Sequence, residues 1–368
     1  MPSSLEALAD SLGIPPAACE PRGRAALKID PDALDATPRG RIVLVTALTP
    51  TPAGEGKTTT SVGLLDALRL RGSRAVAALR QPSLGPVFGA KGGAVGGGRA
   101  RLVPEDAINL HFTGDLHAVT SAHSLLSALV DNHLHHANEP LLPPERVTWG
   151  RAVDMNDRAL RSVEVGLSAG GPRRRDRTDI TAASEVMAVL CMARDVADLR
   201  LRLGRIVVGT TAGGATVTAE DLRAAGAMAA LLLDAARPNL VRTAEGSPAF
   251  LHGGPFGNVA QGTSSLIQTR LCRALADVVV TEGGFAFDLG GFKFIDLQAR
   301  AGGFLPAALV LVATVRALRF QGGAKDFAKP DAAAVARGVA NLEAHLDSIQ
   351  RLGLPKPVVA INRFPDDT

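Results

Sequence analysis

The sequence predicts an α/β protein with a largely parallel sheet flanked by helices. Two observations predict it. Compact apolar runs rich in β-branched residues recur at RIVLVT (41–46), RAVAAL (74–79), DVVVTE (277–282), AALVLVATV (307–315) and KPVVAINRF (356–364). Such runs mark strands buried on both faces. Between the first two lies KTTTSVGLLDALRLRG (57–72), which has helical spacing. Strand, loop, helix, strand is a βαβ unit, and its crossover makes the two strands parallel.

The first forty residues are punctuated by Pro15, Pro16, Pro21, Pro31 and Pro38. They are expected as short helices wrapped on the body, an N-terminal lead over 1–40 rather than a domain. The strand at 41–46 opens the core, and the helix after it closes at Gly72, a residue suited to a left-handed cap. GRIVVG (204–209) predicts a further strand. TAEDLRAAGAMAALLLDAA (218–236) predicts a helix opened by Thr218 with Asp221 three residues on, close to a capping box. GPRRRDRTD (171–179) is expected as an exposed loop. DAAAVARGVANLEAHLDSIQRLG (331–353) predicts a long amphipathic helix before the last strand. The 368 residues correspond to two or three domains at about 150 residues each. No fixed-period repeat or long linker marks a boundary, so 41–368 is expected as one α/β core.

Composition narrows the function classes. Apolar residues make up 46% and charged residues 21%, an ordinary globular balance. Forty basic against thirty-six acidic side chains leave a formal charge of only +4, which does not by itself imply a nucleic-acid partner. With no Tyr, one Trp and twelve Phe, the chain also lacks the aromatic platform that stacks single-stranded bases. Cys19, Cys191 and Cys272 have no CxxC spacing and fit a reducing compartment. The start, MPSSLEALADSLG, lacks the basic and apolar regions of a secretory signal. The most apolar window, 306–315, is about half a membrane span and is ended by Arg316. A cytoplasmic protein with neither nucleic acid nor membrane as partner is expected.

The strongest local signal is TPTPAGEGKTTT (49–60), between the first strand and its helix. The phosphate-loop pattern G-x-x-x-x-G-K-[ST] is met at Gly56, Lys57 and Thr58, with Thr51 in the leading glycine position. Small residues let backbone N–H groups converge on an anion, and the helix N-terminus behind them adds its dipole. A lysine then reaches the outer phosphates and a hydroxyl meets Mg²⁺. Thr51, Pro52, Ala53, Gly54, Glu55, Gly56, Lys57 and Thr58 are therefore the candidate nucleotide site, with Thr58 toward Mg²⁺. The alternative is an ordinary turn that contains Gly-Lys. The context instead predicts a P-loop NTPase-like nucleotide-binding core. INRFPD near the end offers Asn362, but Pro365 stands where a guanine-reading Asp belongs, which favours ATP.

Other clusters follow strand ends. RQPSLGPVFGAKGGAVGGG (80–98) carries Arg80 and Lys91 among glycines, at the edge where open α/β sheets bind ligands. Two cations there suit an anionic substrate or intermediate, while a flexible surface loop is the plainer reading. NLHFTGDLHA (109–118) spaces His111 and Asp115 for one helix face, with His117 close by. His133, His135 and His136 crowd a helix end. Asn258 in HGGPFGN is placed to cap a following helix, and Glu282, Asp288 and Lys293 sit among glycines just past a strand.

TPTPAGEGKTTTSVGL, RQPSLGPVFGAKGGAVGGG, INLHFTGDLHAV, VDMNDRALR, ASEVMAVLCMA, LGRIVVG, GGPFGNVAQG and VVAINRFPDDT occur in order from about residue 40 to the end. Together they resemble formate–tetrahydrofolate ligase. The resemblance implies ligation through formyl phosphate, giving 10-formyltetrahydrofolate, ADP and phosphate from ATP, formate and tetrahydrofolate. It implies Lys57 and Thr58 on the phosphates and Mg²⁺, with Arg80 catalytic beside Lys57 and contacting the formyl phosphate. Asp115 lies in a family motif, and Phe364 matches an aromatic that stacks on the pterin. A homotetramer and a monovalent cation are further implications. Departures from the family pattern are Gln81 for Glu, Gln261 for His, Thr263 for Cys, and the aromatics Phe287 and Phe292. The family's C-terminal part is expected to be absent after Thr368, so an ATP-binding pseudoenzyme or fragment is the alternative to the ligase.

Overall fold

The computed structural model describes residues 4–34, 37–51, 54–89, 95–167, 172–364 and 367. Its main sheet is built from β1 (Cys19–Arg22), β2 (Ala26–Ile29), β3 (Arg41–Ala47), β4 (Ala75–Leu79), β5 (Ala100–Val103), β6 (Asn239–Thr243), β7 (Pro248–Leu251), β8 (Val278–Glu282), β9 (Pro306–Thr314) and β10 (Val358–Asn362), with Gly96–Gly97 paired to β5. The order across the sheet is β1-β2-β6-β7-β4-β8-β3-β9-β10, with β5 beside the far end of β6. The six strands from β7 to β10 in that order run parallel. The remaining ones pair antiparallel, which makes the sheet mixed and mostly parallel.

The helices are α1 (Leu5–Ser11), α2 (Lys57–Leu70), α3 (Asp115–His135), α4 (Glu185–Met192), α5 (Val196–Gly204), α6 (Ala225–Leu231), α7 (Leu266–Leu275), α8 (Val315–Gln321) and α9 (Ala332–Arg351). Alternation along β4 explains the layering. Ala75, Ala77 and Leu79 pack with Val62 and Leu65 of α2, whereas Val76 and Ala78 pack with Leu271 and Cys272 of α7. Successive side chains of a strand point to opposite faces, so a wholly apolar strand is buried only if helices cover both.

The N-terminal lead differs from the expectation. After α1 it supplies β1 and β2, which extend the sheet rather than wrap it. Pro21 is tolerated because β1 is an edge strand, where a missing N–H breaks no ladder on its open side. Lys28 hides in the wholly buried run Ala26–Ile29.

Between β5 and β6 the chain builds a second, mainly helical layer with its own core. Val119, Leu126, Val186, Leu190, Leu199 and Met228 belong to it. Here three expectations are corrected. The strand at 204–209 forms as Val207–Thr210 but among the described residues pairs only with Thr216–Thr218 and Val147, outside the main sheet. The helix expected over 218–236 shrinks to α6. Thr218 and Asp221 do exchange hydrogen bonds of 2.8 and 3.3 Å, yet Arg223 at φ +54° interrupts the helical path. The loop expected at 171–179 contains Arg174–Asp176, paired with Val163–Val165, and Thr178–Ile180, paired with Arg151–Val153. Arg174 and Asp176 bury their side chains and meet at 3.3 Å. Charge alone suggested solvent there, and pairing of opposite charges removed the need for it.

Candidate active site

The first βα turn leaves β3 at Ala47 and enters α2 at Lys57. Gly54 and Gly56 take φ values of +75° and +72°, which only glycine adopts without strain. A Cβ on Gly56 would also lie 2.4 Å from Asn362 Nδ2. That amide donates to the Glu55 carbonyl at 3.1 Å, so the end of β10 braces the turn. On its other side Asn341 of α9 bonds Thr49 twice, accepting from its N–H and donating to its hydroxyl. The Thr51 N–H donates to Glu55 Oε1 at 2.6 Å. The turn therefore arrives at the helix N-terminus, whose first N–H groups have no partner within the helix.

Lys57 Nζ sits 3.8 Å from Glu55 Oε2. Burial pushes its ammonium below the usual lysine range, Glu55 and Glu282 pull it back, and Arg80 adds to the fall. The Thr58 hydroxyl donates to Glu282 Oε2 at 2.8 Å, and the other oxygen of Glu282 is 3.6 Å from Arg80 Nη2. Arg80 follows β4 directly, and Glu282 is the last residue of β8, its parallel neighbour. Arg80 Nη1 also donates to the Pro255 carbonyl at 3.2 Å. Gly284 leaves room for this guanidinium, since a Cβ there would lie 2.8 Å from Arg80 Nη1. A cavity of about 60 Å³ opens among Thr58, Arg80, Gln81, Pro86, Phe256 and Glu282. Hydroxyl, carboxylate and guanidinium thus form a continuous chain from the end of the glycine turn to the pocket.

Pro52, Ala53 and Lys91 lie outside the described residues. Asp115 stands apart from this cluster. It is buried at the start of α3, 2.8 Å from Lys28 Nζ, and accepts from Asn239 Nδ2 at 2.7 Å. It fastens α3 to β2 and β6 and does not line the Arg80 cavity. Burial lowers the Lys28 ammonium pKa while Asp115 opposes the fall. His111 and Asp115 do not share a helix face because α3 begins at Asp115 itself. His111 stacks instead on His117, with ring nitrogens 2.8 Å apart. Phe364 lies just past β10, outside the same cavity, and carries the Arg316 guanidinium 3.9 Å above its ring.

Asn258 does not cap α7, because Ser265 takes that place and accepts from the Gln268 N–H. Gln261 is buried and donates to the Thr263 and Ser264 carbonyls, so it ties down its own loop. Phe287 fills the core under β3, whereas Phe292 is exposed. Asp288 is also exposed. Among the described residues no group of three His, Cys, Asp or Glu side chains is arranged to hold a metal ion. Of the pieces the turn depends on, the sequence signalled Glu282 by its place at a strand end. Nothing local signalled the bracing roles of Asn341 and Asn362.

A mostly parallel sheet that gathers a glycine turn, a helix N-terminus and a guanidinium at adjacent strand ends defines an α/β protein with a crevice at the carboxyl edge of its strands. The chain belongs to the formate–tetrahydrofolate ligase family, whose model matches residues 1–368. It is 55% identical to the formate–tetrahydrofolate ligase of Methylobacterium nodulans, over 99% of this chain and 66% of that one. Against the ligase of Methylobacterium sp. strain 4-46 the identity is 56%, with the same coverage. The ligase of Thermus thermophilus is 59% identical over 89% of this chain and 61% of its own. The chain thus spans 61–66% of the length of these relatives. No helix among the described residues is long and apolar enough to cross a membrane.

Proposed function

We propose that the chain carries out ATP-dependent ligation of formate to tetrahydrofolate on a P-loop NTPase-like core. The observation that carries this reading is the Thr58–Glu282–Arg80 chain, which joins the phosphate-loop turn to a small cavity. A formate oxygen attacks the γ-phosphorus of ATP, the bond to the bridging oxygen breaks, and ADP leaves. N10 of tetrahydrofolate then attacks the formyl carbon of formyl phosphate, phosphate departs, and the amine gives up its proton. Each step gathers negative charge on oxygens, which fixed cations and backbone donors stabilise without reorganising.

Lys57 and the free N–H groups of α2 meet the phosphates. An arriving polyanion opposes the effect of burial and favours the charged form of the ammonium. Arg80 faces the acyl phosphate from the other side. The Thr58 hydroxyl and Glu282 carboxylate supply hard oxygen donors suited to Mg²⁺, which when bound would neutralise charge on the phosphates. Phe364 already holds a planar cation against its face, the kind of surface a flat ring stacks upon. Three free thiols fit a cytoplasmic setting, and self-association into a tetramer is the expected assembly.

The test is formation of 10-formyltetrahydrofolate by the purified chain with MgATP, formate, tetrahydrofolate and potassium. Product that falls about a thousandfold or more in Lys57→Ala supports the proposal. MgATP binding with no formate-dependent ADP release sinks it. ADP release without formyl transfer limits the chain to the first step.

A further inference from the structure

Within the ligase reading, on which this inference rests, we propose that Gln81 is the residue that grips the small acid through its neutral amide. Gln81 follows Arg80 directly. Its N–H donates to the Gly253 carbonyl at 2.7 Å, and Gly254 packs so close that a Cβ there would lie 2.5 Å from the Gln81 carbonyl oxygen. The backbone is therefore pinned from both sides. Gln81 is only 2% exposed, yet among the described residues neither its Nε2 nor its Oε1 has a hydrogen-bond partner. Buried carboxamides in folded proteins bond through one or both ends. A backbone held this firmly beside a cavity, with an amide left unbonded at both ends, is built for a group the cavity receives.

Size and chemistry say which group. The cavity is about 60 Å³. One water needs about 10–15 Å³ by the same measure, so a few non-hydrogen atoms fill it. Its polar side chains besides Gln81 include the Thr58 hydroxyl and the Arg80–Glu282 pair, while Pro86 and Phe256 supply apolar wall. A one-carbon carboxylate fits: one oxygen lies toward Arg80 and the phosphate, and the other accepts from Gln81 Nε2. Gln81 Oε1 remains to accept the N–H of the attacking amine, so one neutral side chain addresses both reactants. Arg80 supplies charge, and Gln81 supplies direction.

The experiment compares wild type with Gln81→Leu, which keeps the volume and removes both hydrogen bonds. Formate KM is read from formate-dependent ADP release, formate binding from [13C]formate NMR in the presence of MgADP, and MgATP affinity by calorimetry. Formate affinity should fall about tenfold or more while MgATP affinity stays within about twofold. Should Gln81→Leu fail to fold, Gln81→Met replaces the amide with a more flexible apolar chain of similar length. Unchanged formate affinity overturns the assignment. So does a parallel loss of MgATP affinity, which would make Gln81 part of the wall behind the phosphate turn. A wild-type chain that releases no ADP with formate sinks the ligase reading and this inference with it. A wild-type chain that does so, beside a variant with the same formate KM, sinks the role of Gln81 alone.

Discussion

The parallel sheet and the helical layer inserted between β5 and β6 both bury apolar cores, but they divide the labour. The sheet delivers Lys57, Arg80 and Glu282 to one edge because neighbouring parallel strands all end there. The insertion contributes no side chain to the Arg80 cavity and supports its wall instead. Met187 Sδ accepts from the Gly254 N–H at 3.3 Å, and the Phe256 N–H donates to the Ala182 carbonyl. Gly253 has no side chain because a Cβ would lie 2.3 Å from Cys191 Sγ, so α4 presses directly on the loop. The charged groups gather at the edge of the parallel ladder, and the insertion holds the facing loop in place.

One device is common to both regions. His123 in α3 and His252 after β7 are buried. Each donates Nε2–H to a carbonyl, of Gly150 and Ala235, and accepts at Nδ1 from a serine hydroxyl. Those serines, Ser184 and Ser265, are the N-caps of α4 and α7, where each also accepts a backbone N–H. With the imidazole neutral, the hydroxyl donates to the ring nitrogen while its oxygen accepts the backbone N–H. Burial, first among the causes, lowers each histidine to a pKa of about 4.

The contrast can be broken at several points. The largest expected effect on ligand binding is Gly56→Val, which sets a branched side chain at φ +72° and against Asn362. Nucleotide affinity should fall about a hundredfold or more, read by calorimetry, with the helical layer intact by hydrogen exchange. An unchanged affinity would mean the turn does not bind phosphate.

Asp115→Asn should lower stability by about 3–5 kcal/mol by leaving Lys28 buried without its counter-charge. The double variant Asp115→Leu with Lys28→Met should recover most of that in urea unfolding. If the double variant loses turnover while folding normally, Asp115 has a role at the substrate after all. Leu126→Ala should cost about 2–4 kcal/mol in the insertion core, and MgATP affinity measured well below the melting temperature should hold. A loss of affinity in that variant would show the two regions to be more tightly coupled than their separate cores suggest.

The smallest effect is in pH. A histidine of pKa about 4 folded and about 6.5 unfolded binds its proton more readily when unfolded, so stability present above pH 6.5 drains as pH falls toward 4. Each histidine should account for about 1 kcal/mol by pH 5.5. His123→Asn and His252→Asn should each flatten the profile between pH 7 and pH 5, and a profile unchanged in both would remove the shared device.

The two regions were also unequally legible. The runs at 41–46, 74–79, 277–282, 307–315 and 356–364 all became sheet strands. A strand covered on both faces must be continuously apolar, and that pattern needs no knowledge of its neighbours. Val207–Thr210 shows the same local pattern but joins a two-stranded ribbon, since pairing depends on what lies alongside. α6 began late because Arg223 adopts a left-handed turn fixed by its surroundings. β1 was hidden by Pro21, and β2 by its shortness and the lysine within it.

By itself the sequence determined the strand runs, the glycine turn with Lys57 and Thr58, and the placing of Arg80 and Glu282 at strand ends. Local periodicity and the stereochemistry of glycine suffice for these. Only the tertiary structure decided that Asp115 turns inward to Lys28, that Asn239 reaches it from 124 residues away, and that Asn362 braces the glycine turn. It also decided that the Gln81 amide is buried without a partner among the described residues. Burial and hydrogen-bonding partners are properties of distant segments brought together, and no window of sequence contains them.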